Sequence, residues 1–177
     1  MVHRAFPLHP EVPQEGLSLD ELFRGRGYDR KAMHERMQRL MDAEGLAYGP
    51  REMTFNTRLA QELAKWGEQN AKPEIHDALY RAYFVDRVNL AKPAELTRIA
   101  ASVGLDTEEA ERVLTDRTFK DAVDADWKRA RDLGVTGVPT FVAGRQAVVG
   151  AQPYEVLEQL VLAAGARTRA EGRMFPG

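Results

Sequence analysis

The chain has 177 residues, with 25 Lys and Arg against 27 Asp and Glu, four His and no Cys. That length suits one domain, or one domain carrying an insertion, and a net charge of −2 argues against nucleic-acid binding as its main task. The absence of Cys excludes disulfides, thiolate nucleophiles and Cys-ligated zinc within these residues.

No stretch approaches the ~18 apolar residues of a membrane-spanning helix. Met1-Val2-His3-Arg4 has no apolar signal-peptide core, so the expected location is cytoplasmic, with no membrane partner. Residues 2–8 alternate apolar and polar and then meet Pro7, which predicts a short strand at an edge. Ser18-Leu19-Asp20-Glu21 reads as a capping box, a hydroxyl at the helix start and a carboxylate three residues on. Met33, Met37, Leu40 and Met41 share one helical face, and Gly45 ends that helix. Asn56 can cap a helix presenting Leu59, Leu63 and Trp66. Ile75, Leu79, Ala82 and Tyr83 form the next apolar stripe after Pro73. Pro93 suits the first turn of a helix bearing Leu96, Ile99 and Ala100. Acid at Asp106–Glu109 suits the next helix start, where the dipole favours it. Phe119, Val123, Trp127 and Ala130 mark one more helix, closed by Leu133-Gly134.

The period then changes. Val138–Val142 and Ala147–Gly150 read as two strands joined by Ala143-Gly144-Arg145-Gln146, an antiparallel hairpin. Pro153 opens a last helix with Val156, Leu157, Leu160 and Val161 on its buried side, and residues 165–177 read as a loose tail. So few strands need helices packed on them, which predicts an α/β or α+β layered architecture.

Gly137-Val138-Pro139-Thr140-Phe141 is the most informative stretch. A proline at a strand entry removes a ladder donor. One reason to keep it is a cis bond that turns the backbone of Val138 outward to pair with an extended ligand. The alternative is a trans proline with no ligand, and these residues alone do not separate the two.

With its surroundings the segment is more specific. Val138-Pro139-Thr140-Phe141, the hairpin, Val149-Gly150-Ala151-Gln152-Pro153 and the terminal helix resemble the C-terminal half of a thioredoxin fold. Phe6–Gly16, Asn56-Thr57, Leu79–Phe84 and Val103–Asp106 extend the resemblance to the DsbA family. The branch is FrnE-like and related to glutathione-using 2-hydroxychromene-2-carboxylate isomerases. The resemblance spans about residues 2–162. It implies an α/β thioredoxin-like sheet with a large all-helical insertion. Residues 1–16 and 135–164 would form the thioredoxin-like part, and 17–134 the insertion. Pro139 would be the cis-proline, Val138 and Thr140 would line a thiol peptide or glutathione, and Gly150, Ala151 and Gln152 would lie near the γ-glutamyl end.

The family pattern also carries a strand and a Cys-x-x-Cys, or a Ser-based variant, ahead of the segment matching Val2–Leu8. By that pattern the chain reads as N-terminally truncated, with no catalytic residue of its own. A start set too late, a sheet rearranged or completed by another chain such as a homodimer partner, and a noncatalytic relative all fit. No cofactor or metal is expected beyond glutathione as substrate or co-substrate.

The remaining candidates have simpler explanations. His3, His9, His34 and His76 show no paired metal spacing. His3 reads as a surface or edge residue, and His34 and His76 as members of solvated helix faces. Asp124 and Asp126 suit a polar helix face, and the Met stripe suits core packing, with a plastic peptide-binding surface as the sharper idea. Trp66, Tyr80, Tyr83, Phe84 and Trp127 are candidates to line a cleft between insertion and sheet. Arg24–Gly27 lacks the strand and third glycine of a phosphate loop, and neither Ser18 nor Ser102 has a nucleophile context.

Overall fold

The computed structural model describes residues 2–25, 27 and 29–167. Residues 168–177, most of the expected tail, lie outside the described part. Internal contacts divide the chain into two compact units, Met1–Trp127 and Lys128–Gly177. Residues 2–16 thus group with the helices, and the cut falls within the helix over Lys120–Asp132.

In the first unit β1 (Leu17–Ser18) pairs antiparallel with β2 (Met53–Thr54), Leu17 opposite Thr54. The capping box forms at α1 (Leu19–Leu22). Glu21 N–H donates to Ser18 Oγ at 3.1 Å, and Ser18 N–H donates to the Glu21 carboxylate at 3.2 Å. The helix α2 (Arg30–Ala43) is capped by Asp29, whose Oδ1 accepts from Ala32 N–H at 3.0 Å. Five further helices follow: α3 (Arg58–Gln69), α4 (Ile75–Phe84), α5 (Pro93–Ser102), α6 (Thr107–Asp116) and α7 (Lys120–Asp132). The N-cap of α3 is Thr57, without a side-chain cap bond, and Asn56, expected as the cap, stands one residue earlier with its Oδ1 accepting from Arg58 N–H at 2.9 Å.

The core lies where α3 packs against α4, α5 and α6. Leu63, Ile75, Leu96, Ala100 and Ala110 are fully buried there, joined by Trp66, Leu79, Ala82 and Tyr83. These are the stripes that the 3.6-residue period marks. Gly67 allows the close approach of α3 and α4, since a Cβ on it would stand 2.6 Å from Ile75 Cγ2. Alanine gains up to ~1 kcal/mol of helix propensity over glycine, while overpacking costs ~1–3 kcal/mol. Gly67→Ala is therefore expected to lower stability by about 1 kcal/mol. A denaturation midpoint at or above wild type would show that this contact yields.

The Met stripe departs from core packing. Met33, Met37 and Leu40 are 41–47% exposed and no residue of α2 is buried. The physical reason is that, among the described residues, α2 makes no extensive contact with another element, so much of its apolar face stays open.

In the second unit β3 (Thr140–Ala143) and β4 (Gln146–Val149) form the antiparallel hairpin, Thr140 opposite Val149. Gly144 takes the left-handed conformation at its turn, with φ of 59°. The terminal helix α8 (Tyr154–Ala163) packs on both strands. Leu160 is its buried residue and Val161 is 44% exposed, so the buried stripe is narrower than expected.

The strand expected over residues 2–8 is not formed: among the described residues the strands make two separate two-stranded sheets. A strand requires a paired neighbour. Here side chains of the helical unit meet this backbone instead. Lys65 Nζ donates to His3 O at 3.2 Å, Gln61 Nε2 donates to Phe6 O at 3.2 Å, and Ala5 N–H donates to Asp126 Oδ2 at 2.9 Å.

Candidate functional site

The second unit carries the residues singled out by the prolyl motif. The Val138–Pro139 bond is cis. Thr140 Oγ donates to Gly137 O at 2.7 Å, closing the turn that leads into β3. Pro139 C=O accepts from Gly150 N–H at 2.8 Å, which seats Gly150 beside the proline one step beyond the ladder. Gly150 has φ of 89°, a conformation that favours glycine. Val138, Pro139, Thr140, Gly150 and Ala151 are thereby gathered at one end of the hairpin. Gln152 joins them, but its amide nitrogen donates back to Val149 O at 2.6 Å rather than projecting outward.

Val138 is 49% exposed, and among the described residues neither its N–H nor its C=O has a hydrogen-bond partner. Such a residue offers a donor and an acceptor to a neighbouring extended backbone, the elementary step of strand addition. No titratable side chain belongs to this group. Its polar groups are backbone donors and acceptors, the Gln152 amide and the Thr140 hydroxyl, and that hydroxyl is engaged with Gly137 O.

In the first unit the charges cluster in ways that local pattern did not reveal. Glu62 on α3 is fully buried. Its Oε1 accepts from Arg58 Nε at 2.7 Å and from an Arg117 terminal nitrogen at 2.7 Å, and its Oε2 accepts from Arg117 Nε at 2.8 Å. Burial pushes the Glu62 carboxyl up, but the hydrogen bonds from Arg117 and Arg58 outweigh it and hold it below the usual range. Arg58 also reaches Asp124 at 2.7 Å and lies 4.5 Å over the Trp127 ring.

Asp126, expected on a polar face, is 3% exposed. It accepts from Lys65 Nζ at 2.7 Å, Arg4 at 2.9 Å and Ala5 N–H at 2.9 Å. Burial raises its carboxyl, and these three donors more than reverse that, leaving it below the ordinary value. His76 likewise leaves the solvated face assigned to it. Its side chain is 15% exposed and its Nε2 lies 2.8 Å from Glu68 Oε1. His3 stands beside it, the two rings edge to face with centroids 4.4 Å apart.

The aromatic candidates separate. Trp66 is core at 3% exposure and Tyr80 is open to solvent at 60%. Tyr83 lines a cavity of about 300 Å³ with Arg51, Met53, Phe55 and Arg87. The Arg51 guanidinium lies 4.6 Å above the Tyr83 ring. Periodicity could find Tyr83 as a buried residue but not as a cavity wall.

Comparison with known proteins places these features. The profile of the DSBA-like thioredoxin domain matches residues 1–162. A solved structure from Streptomyces coelicolor, described as a probable DsbA oxidoreductase, superposes with a TM-score of 0.84 at 33% identity, covering 99% of this chain and 77% of that one. An uncharacterized protein of Bacillus subtilis (strain 168), YwbO, is 30% identical over 95 residues, which are 53% of this chain and 48% of that protein. The match therefore spans about half the length of this relative. Among the described residues no helix is long and apolar enough to cross a membrane.

Proposed function

Because the chain belongs to the DSBA-like thioredoxin domain family, an α/β thioredoxin-like fold with a helical insertion, we propose that it is the substrate-holding part of a thiol–disulfide oxidoreductase or isomerase. An extended peptide bearing a thiol or disulfide, or glutathione, binds along Val138, Pro139 and Thr140, with Gly150 and Ala151 flanking it. The observation that carries this reading is the exposed Val138, whose N–H and C=O lack partners among the described residues. In the exchange step a thiolate attacks one sulfur of a disulfide, forming a mixed disulfide and releasing the other sulfur as a thiolate. The attacking sulfur is supplied from outside these 177 residues, which contain no Cys. A cysteine pair facing the edge would make the activity an oxidoreductase of the FrnE type. A serine with bound glutathione would make it an isomerase of the hydroxychromene-carboxylate type. The absence of Cys also favours a second reading, a relative that binds the same ligands without catalysis.

The test is amide exchange read by NMR with glutathione or a short cysteine peptide added. One new backbone hydrogen bond contributes ~0.5–1.5 kcal/mol, so exchange at Val138 is expected to slow by about 2- to 10-fold, while β4 amides stay unchanged. Perturbations that map elsewhere, or none at saturating ligand, would remove the reading. The chain alone is expected to leave insulin reduction by dithiothreitol at the background rate. Acceleration that tracks the purified chain would overturn the external-sulfur part of the proposal.

A further inference from the structure

Three side chains from three separate segments converge on the first unit: His3 from the N-terminal stretch, Glu68 from α3 and His76 from the first turn of α4. One ligand atom from each lies within 4.8 Å of the other two. His76 Nε2 stands 2.8 Å from Glu68 Oε1, and His3 Nδ1 stands 3.9 Å from the same oxygen. We propose that His3, Glu68 and His76 form a mononuclear metal site suited to Zn²⁺, with water completing the coordination.

The donor set is the first argument. Two imidazoles and one carboxylate are borderline ligands of the kind that Zn²⁺ takes, with three protein ligands and one open position. Bonds of ~2.0–2.2 Å in a tetrahedron put ligand atoms about 3.4 Å apart. The distances of 2.8 and 3.9 Å bracket that value, so side-chain shifts of about 1 Å or less in these pairs would seat the ion.

Burial is the second argument. His76 and Glu68 have side chains 15% and 31% exposed and are set by their helices, whereas His3 is 46% exposed. The inner two ligands are placed in advance, and the outer one leaves an entry path and a position for water.

The electrostatics divide the carboxylate. Lys65, the neighbouring cation, approaches Glu68 Oε2 at 3.6 Å but makes its closer contact with Asp126 at 2.7 Å. Glu68 Oε1 is left facing the two imidazoles. Lys65 also holds His3 C=O at 3.2 Å. That bond fixes the backbone of the His3 ligand, an outer contact of the kind that orients metal ligands. An ion bound here would tie residues 2–8 to α3 and α4, adding to the bonds that Lys65, Gln61 and Asp126 already make to that segment.

Calorimetric titration of tag-free, chelator-treated protein with ZnCl₂ at neutral pH tests the proposal. One Zn²⁺ per chain is expected, with a rise in Tm under excess metal. Co²⁺ in place of Zn²⁺ should give the visible bands of a tetrahedral site. His3→Gln and Glu68→Gln are each expected to weaken Zn²⁺ binding by at least the 10- to 100-fold seen for loss of mere outer contacts. His34→Gln should leave it unchanged, because His34 stacks on Tyr48 with centroids 5.5 Å apart and offers nothing to this site. If His76→Gln fails to fold, the exposed His3→Gln carries the test. No saturable one-to-one binding, or equal affinity in the His3→Gln and His34→Gln proteins, would overturn the assignment.

Discussion

Glu62→Gln should lower the stability of this protein by about 3 kcal/mol, the lower end of the 3–5 kcal/mol expected when one member of a buried ion pair is removed. The lower end applies because Arg117 is 40% exposed and keeps part of its hydration. The amide is nearly the shape of the carboxylate, so packing is preserved and the loss is electrostatic. Both carboxylate oxygens accept from arginine N–H groups. Either orientation of the glutamine amide would turn its NH₂ toward an N–H donor. Arg117 ends α6 in the left-handed conformation, φ 54°, an uncommon geometry for a residue with a side chain, and its paired bonds to Glu62 hold it there. Loss of the carboxylate therefore loosens the end of α6 as well as the middle of α3. For a chain of this size about 3 kcal/mol corresponds to a fall in Tm of roughly 6–12 °C. Calorimetry of the variant checks it, and a change below 2 °C would show that the arginines find water at no cost.

The second large effect is acid lability carried by Asp126 together with Glu62. Both carboxyls are held below their ordinary values of 3.8 and 4.5 in the folded state. As pH falls, the unfolded chain takes up these protons first. The stability they contribute is fully present above about pH 5.5 and drains away as pH drops through 4.5 and 3.8 toward the lower folded values. Asp126→Asn should cost on the order of 2 kcal/mol at pH 7, because it leaves Lys65 with a weakened partner in a half-buried setting. The same variant should be less sensitive to acid than wild type, so the two stability curves converge as pH approaches 3. Parallel curves across pH 3–7 would mean that Asp126 titrates alike in both states. The variant should also raise hydrogen exchange at Ala5, whose N–H is bonded to the Asp126 carboxylate at 2.9 Å.

Features that depend on a few neighbouring residues are legible along the chain. Ser18 and Glu21 cap α1, Asp106 caps α6 by accepting from Glu109 N–H at 2.7 Å, and Pro93 begins α5, each within one turn. The apolar stripes of α3, α4 and α5 mark their buried faces for the same local reason. The Val138-Pro139 entry, the hairpin and Gly150 stand close enough in the chain for their grouping at one end of the hairpin to be read from it. The long-range partners of the charged groups come from how the helices pack. Arg117 meets Glu62 across 55 positions and Arg4 meets Asp126 across 122. A buried carboxylate and an exposed one look identical in a helical pattern. Their difference lies in whether another element brings cations close enough to offset desolvation, which depends on how the helices pack. The same packing brings His3 to Glu68 and His76, and among the described residues it leaves Met33, Met37 and Leu40 exposed. Residues 2–8 show the limit from the other side. Their alternation specifies an extended conformation, but a strand needs a neighbouring backbone, and only the fold decides whether one is there.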